Sequence, residues 1–161
     1  MALRCSVVAY GRSLVKLNRS WLTAPGTFAP PGLTWGYENR TTCFRLVGHD
    51  AGSLRVENRL PGADTNPYLT AAATIAAGVA GIMGRIEPDP ETLGSGYAQE
   101  PARDFARSMP EAIERLGNSA FAKDWLGERF VEAFTATRRC QHDEFRKKVP
   151  DVELERFFDL G

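Results

Sequence analysis

No acidic residue occurs in the first 37 positions of this 161-residue chain, although Arg4, Arg12, Lys16 and Arg19 lie there. The whole carries 20 basic and 20 acidic side chains, a formal net charge of zero. That balance removes any bulk electrostatic case for nucleic acid or an anionic membrane as partner. Histidine is scarce, with only His49 and His142, and the three cysteines Cys5, Cys43 and Cys140 show no CxxC spacing. A zinc site and a Cys–His nucleophile pair therefore find no support, and reduced thiols in a cytoplasmic setting are expected. Long apolar runs are missing too. The longest uncharged apolar stretch, Tyr68 to Gly84, is short for a bilayer span and made mostly of Ala, Gly and Thr. The start, MALRCSVVAYGRS, has no long apolar core of the kind a secretion signal needs. A glycine-rich phosphate loop is absent as well, since GSGY at 94–97 has neither the lysine nor the flanking strand.

What is present reads as one domain with a core, at 43% hydrophobic and 25% charged residues. Residues 1–25 are poorly patterned and form a lead-in; Thr23 to Gly32 packs three prolines and two glycines into ten residues and reads as extended loop. TTCFRLV at 41–47 and LRVENRL at 54–60 have strand composition and flank the turn GHDAGS. The simplest arrangement is an antiparallel hairpin, which needs a helix across one face because two strands alone are marginal in water. That helix follows: Asn66 caps, Pro67 takes the first position, and Tyr68 to Arg85 carries small and apolar residues nearly all round, as a buried central helix would. Gly78, Gly81 and Gly84 within it are tolerable where a neighbour presses close. Further helices begin at the Ser108–Glu111 capping box, at Asn118 or Ser119, after Gly127, and at Asp151 behind Pro150. The fold class is α+β, an antiparallel hairpin packed against a mostly helical carboxyl-terminal part.

Alternation along the second strand puts Arg55, Glu57 and Arg59 on one face, with Arg40 and Arg45 on or beside the facing strand. Two readings stand. One is an ordinary cross-strand ion pair on a solvated face. The other is an anion site, because four arginines around one glutamate repel each other unless an anion such as phosphate joins them. A carboxylate there is also a hard-oxygen ligand suited to Mg²⁺.

GTFAP, WGYENRTTCFRL and RVENRLPGADTNPYLTAAATIAAG together resemble the carboxyl-terminal part of the glutamine synthetase family's catalytic domain. The flavour is that of the γ-glutamyl-polyamine ligase type, and the resemblance runs from about residue 26 to 161. It implies a glutamine synthetase/guanido kinase-like fold, and a reaction in which ATP phosphorylates the glutamate γ-carboxylate before ammonia or an amine displaces phosphate. It implies phosphate contacts for Arg40 and Arg45, a catalytic role for Arg40 and Arg59, and glutamate binding for Arg59. It implies Glu57 as a ligand of Mg²⁺ or Mn²⁺, with ATP as co-substrate. Full-length relatives are expected to form homo-oligomers.

Two departures temper what carries over. Family enzymes are about three times this length, so the other metal carboxylates would lie outside this chain, and Met1 reads as an internal start or a misread frame. Leu22 stands where the family has a glutamate-holding arginine, and Phe28 replaces a glutamate of the ammonia-using members. The chain is therefore expected to be a partial ligase domain, inactive alone. The alternative is a non-catalytic remnant that acts as structural or regulatory partner of full-length family members.

Overall fold

The structure, a computed structural model, describes residues 29–30, 32–62, 65–98, 105–106 and 108–158. The expected lead-in, Leu22 and Phe28 lie outside them. Strands β1 (Trp35–Tyr37), β2 (Phe44–Val47) and β3 (Arg55–Asn58) form one sheet in that order. β2 and β3 are antiparallel, with Arg45 opposite Glu57 and Phe44 opposite Asn58, as the alternation requires. The hairpin is not the whole sheet, however. β1 runs parallel to β2, setting Trp35 against Phe44 and Gly36 against Arg45. Parallel neighbours usually need a crossover of a dozen or more residues, about twice what lies between these two. The short link works because Glu38 turns the chain at φ +50° and the Asn39 side chain folds the following loop upon itself.

Helix α1 (Pro67–Met83) lies on the sheet's apolar face. Asn66 caps it as expected, its side chain accepting from the backbone N–H groups of Tyr68 and Leu69 at 3.0 and 3.2 Å. Ala73 and Ala77 join Leu33, Cys43, Phe44 and Leu60 in one buried cluster. Small residues let the helix backbone come close to the strands, and Asn58 of β3 donates to Thr74 Oγ1 at 3.2 Å. The expected burial of this helix on several sides is corrected: Ala73, Ala77 and Gly81 are buried, while Tyr68, Ile75, Val79, Ile82 and Met83 are exposed. Composition reports that a helix wants cover, not which of its faces is covered. Gly78 likewise has no close neighbour, since a Cβ added there meets nothing within 4 Å.

Helices α2 (Met109–Gly117), α3 (Ala120–Leu126) and α4 (Glu128–Arg146) build a second cluster around Leu116, Ala122 and Val131, flanked by Leu126, Phe130 and Phe134. Ser108 and Ser119 cap α2 and α3 through their hydroxyls. Phe121 of α3 packs on the first cluster and ties the two together. Helix α5 (Asp151–Phe157) follows Pro150; Asp151 is its first residue rather than its cap, and Pro150 takes that place. Among the described residues no helix is long and apolar enough to cross a membrane.

Gly78→Ala is expected to stabilise the chain by up to ~1 kcal/mol, because alanine is the better helix former and the site is open. The shift of the urea midpoint measures it; a loss of stability would show that something occupies that space. Ser119→Ala is expected to cost ~1 kcal/mol, by loss of the α3 cap.

Candidate active site

The sheet has two chemically different faces. Phe44 and Asn58 look toward α1, so Gly36, Arg45 and Glu57, one residue out of phase, line up in a row across the three strands on the other side. There Arg45 is gripped twice. One guanidinium nitrogen bonds Glu38, and the other reaches Glu57 Oε2 at 3.1 Å. Glu57 turns its second oxygen to Arg59 Nε at 3.6 Å. The chain Glu38–Arg45–Glu57–Arg59 thus alternates in sign. Arg45 is largely covered, with 15% of its side chain exposed against 46% for Glu57. Its Nε is buried and has no hydrogen-bond partner among the described residues.

Glu38 is the member that sequence reasoning missed. Besides Arg45 it accepts from the Gly48 N–H at 3.3 Å, while its own N–H donates to the Leu46 carbonyl at 2.8 Å. The Arg45 guanidinium, then the Gly48 amide, hold the Glu38 carboxyl below its ordinary value, and Glu38 raises Arg45 in return. The available signal was the aromatic–glycine–aromatic run Trp35–Tyr37 directly before Glu38, a strand too short to show a period.

Of the residues expected in the site, Arg45, Glu57 and Arg59 come together. Arg40 does not join them: it sits exposed in the turn after Glu38, and among the described residues it forms no ion pair. Arg55 faces the same side, with its guanidinium donating to the Ser53 carbonyl at 3.3 Å. Four arginines around one glutamate therefore become two arginines shared between two glutamates, with Arg40 and Arg55 at the margin. Asn39 supplies the scaffold. Its oxygen accepts from Thr41 N–H and Thr41 Oγ1 at 3.0 and 2.6 Å; its amide donates to the Thr92 and Gly94 carbonyls at 3.1 and 2.8 Å.

The donor set does not by itself fit a divalent cation. Both Glu57 oxygens face guanidinium groups, and no cluster of three or more His, Cys, Asp or Glu forms among the described residues. A hard cation wants six or more oxygens. It would have to draw Glu57 away from two arginines and take its other ligands from elsewhere.

Residues 9–157 match the family model described as glutamine synthetase, catalytic domain. The chain belongs to that family. It is 43% identical to the gamma-glutamylethanolamide synthetase GlnA4 of Streptomyces coelicolor over 138 residues, 84% of this chain and 29% of that protein. Glutamate–isopropylamine ligase of a Pseudomonas species is 34% identical over 149 residues, 91% of this chain and 32% of that protein. The solved GmaS/ADP complex superposes with a TM-score of 0.70 at 25% identity, covering 98% of this chain and 37% of that one. The family chain thus spans about a third of the length of these relatives. The mixed sheet backed by helices is that of the glutamine synthetase/guanido kinase-like fold.

Glu38 stays charged to lower pH than an ordinary glutamate, so the stability it confers is present above about pH 4.5 and is lost as pH falls through its depressed value. Glu38→Gln is expected to flatten that acid limb in thermal melts between pH 3 and 7, relative to the parent. A limb of unchanged slope would assign it to other carboxylates, Asp50 among them. Asn39→Asp keeps the oxygen that serves Thr41 but turns a second oxygen toward two carbonyls, and is expected to cost ~1–3 kcal/mol in urea denaturation.

Proposed function

We propose that this chain forms part of the catalytic domain of an ATP-dependent ligase that joins glutamate to ammonia or, more in keeping with its relatives, to a primary amine. The observation that carries this reading is the charged chain Glu38–Arg45–Glu57–Arg59 on the sheet face away from α1. Arg45 there holds an Nε donor with no acceptor among the described residues, and an anionic oxygen is the partner such a donor lacks. The names of the relatives supply the substrate class: an ethanolamide synthetase and an isopropylamine ligase both join glutamate to small amines.

In this reaction a γ-carboxylate oxygen of glutamate attacks the terminal phosphorus of ATP and ADP departs. The amine nitrogen then attacks the acyl carbon, phosphate leaves, and the nitrogen loses a proton. Negative charge moves from the γ-phosphoryl group onto ADP and later onto phosphate, so fixed guanidinium groups lower both barriers. Arg40 and Arg45 take the phosphate side. Arg59 binds glutamate and its acyl phosphate. Glu57 sits between Arg45 and Arg59 until an anion displaces it; its role as a ligand of Mg²⁺ or Mn²⁺ needs donors beyond the described residues. The second reading, a non-catalytic partner of full-length family members, is favoured by the uncovered apolar face of α1.

The isolated chain is expected to produce no γ-glutamyl hydroxamate from ATP, glutamate and hydroxylamine; clear turnover would overturn its reading as a partial domain. Grafted into the S. coelicolor relative in place of the matched segment, it is expected to support ATP-dependent γ-glutamyl transfer. Arg45→Ala or Arg59→Ala in that chimera should then cost roughly 100-fold or more in kcat/KM. A folded chimera without turnover, or one indifferent to both substitutions, would sink the ligase reading.

A further inference from the structure

Glu38 stands at φ +50°, in the left-handed region that glycine and asparagine enter at less cost. The turn after β1 gains nothing from a glutamate there, so what the residue adds is its carboxylate. Both oxygens of that carboxylate are used. Oε2 accepts from Arg45 Nη2, and Oε1 accepts from the Gly48 N–H at 3.3 Å. Gly48 is held from its other side as well, because the Tyr37 hydroxyl donates to its carbonyl. It stands at φ +112°, where an added Cβ would lie 2.4 Å from the Ser53 carbonyl oxygen. Tyr37 and Glu38, consecutive at the end of β1, thus clasp the residue that ends β2, and the Glu38 carboxylate has a backbone anchor. The Glu57 carboxylate has none among the described residues. Its contacts are Arg45 Nη1 and Arg59 Nε, on two long side chains, and it is the more exposed of the two glutamates, at 46% against 35%.

From this we infer that Glu38 is a positioning residue: it keeps the Arg45 guanidinium on the sheet face while Glu57 yields its place to a phosphoryl oxygen. Arg45 Nη1 then serves the arriving anion, and Nη2 stays on Glu38. The inference rests on the ligase reading for the identity of that anion. Its test reads binding and not turnover, so the two fail separately. Simple electrostatics gives Glu38 the opposite sign. Its negative charge repels an anion arriving at Arg45, so its removal would tighten binding. Anchoring reverses this, since an arginine released from its anchor must be ordered again for each ligand. Glutamine separates the two accounts. It keeps the length of the side chain but has one acceptor oxygen where two donors need one each.

The test is calorimetric titration of the full 161-residue chain with inorganic pyrophosphate, free of metal and at low ionic strength. The parent is expected to bind. Glu57→Gln is expected to bind ~3-fold more tightly, having lost a competing carboxylate at a half-exposed pair. Glu38→Gln is expected to bind ~10-fold more weakly, although it too has lost a negative charge. The second readout is the NMR resonance of the Arg45 Nε–H, whose nitrogen is buried. Its exchange with solvent is expected to stay slow in the parent and in Glu57→Gln and to become fast in Glu38→Gln. Amide dispersion in the same spectra shows whether each variant is folded. Should Glu38→Gln fail to fold, Glu57→Gln decides: slow exchange with tighter binding supports the inference, and fast exchange overturns it. No pyrophosphate binding by the parent, or equal or tighter binding by a folded Glu38→Gln, would overturn it too. A chimera without turnover beside the expected binding results would strike the ligase reading and leave Glu38 as the anchor of Arg45.

Discussion

The arrangement of this chain depends on one side chain, Asn39. Its amide spans two segments more than fifty residues apart, receiving Thr41 on one side and donating to the carbonyls of Thr92 and Gly94 on the other. That clamp compacts the loop after β1 enough for β1 to lie parallel to β2 without a long crossover. It also fixes the 89–96 segment along the outer edge of β1, where Thr92 N–H donates to the Trp35 carbonyl and Trp35 Nε1 donates to the Asp89 carbonyl at 2.7 Å. Gly96 closes the same seam: its N–H meets Thr41 Oγ1 at 2.7 Å, and a Cβ there would strike the Thr41 carbonyl at 2.9 Å. One edge of the sheet is thereby covered by loop rather than by strand.

The electrostatics follow from that backbone. With β1 in place, Glu38 stands beside Arg45, and Arg45 lies between two carboxylates. Such a network is self-neutralising, and the exposure of Glu57 screens its half of the contact. Its effect is orientation: Arg45 and Arg59 are spaced by a common carboxylate, so two long side chains are held in one arrangement. Gly36, across from Arg45, adds no side chain to the row. Of the two readings of the sequence, the cross-strand ion pair is the one present, between Arg45 and Glu57.

Local signals were legible and non-local ones were not. The alternation in LRVENRL puts Glu57 and Arg59 on one face, the Asn66–Pro67 start stands, and of Asn118 and Ser119 it is Ser119 that caps α3. Each depends on neighbours within a few residues. β1 is three residues long with a glycine at its centre, so it carries no period, and the bonds that hold it reach 53 to 55 residues along the chain. Glu38 went unnoticed for the same reason, and with it the second carboxylate of the charged row. Burial of α1 on several sides is not legible from composition, because an uncharged helix implies an apolar neighbour without saying where that neighbour lies.

That last point bears on energetics as well as packing. The face α1 has buried is made of alanine and glycine, and an alanine methyl contributes on the order of 0.8 kcal/mol when removed from water. The face left open carries tyrosine, isoleucine and valine, each worth roughly 1.5–3 kcal/mol on full burial. Most of the hydrophobic driving force available to this helix is therefore not realised among the described residues. Close approach to the sheet required small residues, so the large ones had to point away. A helix so built holds its strands at short range on one side and presents its strongest apolar surface on the other, which is the geometry of an inner layer and not of an outer one.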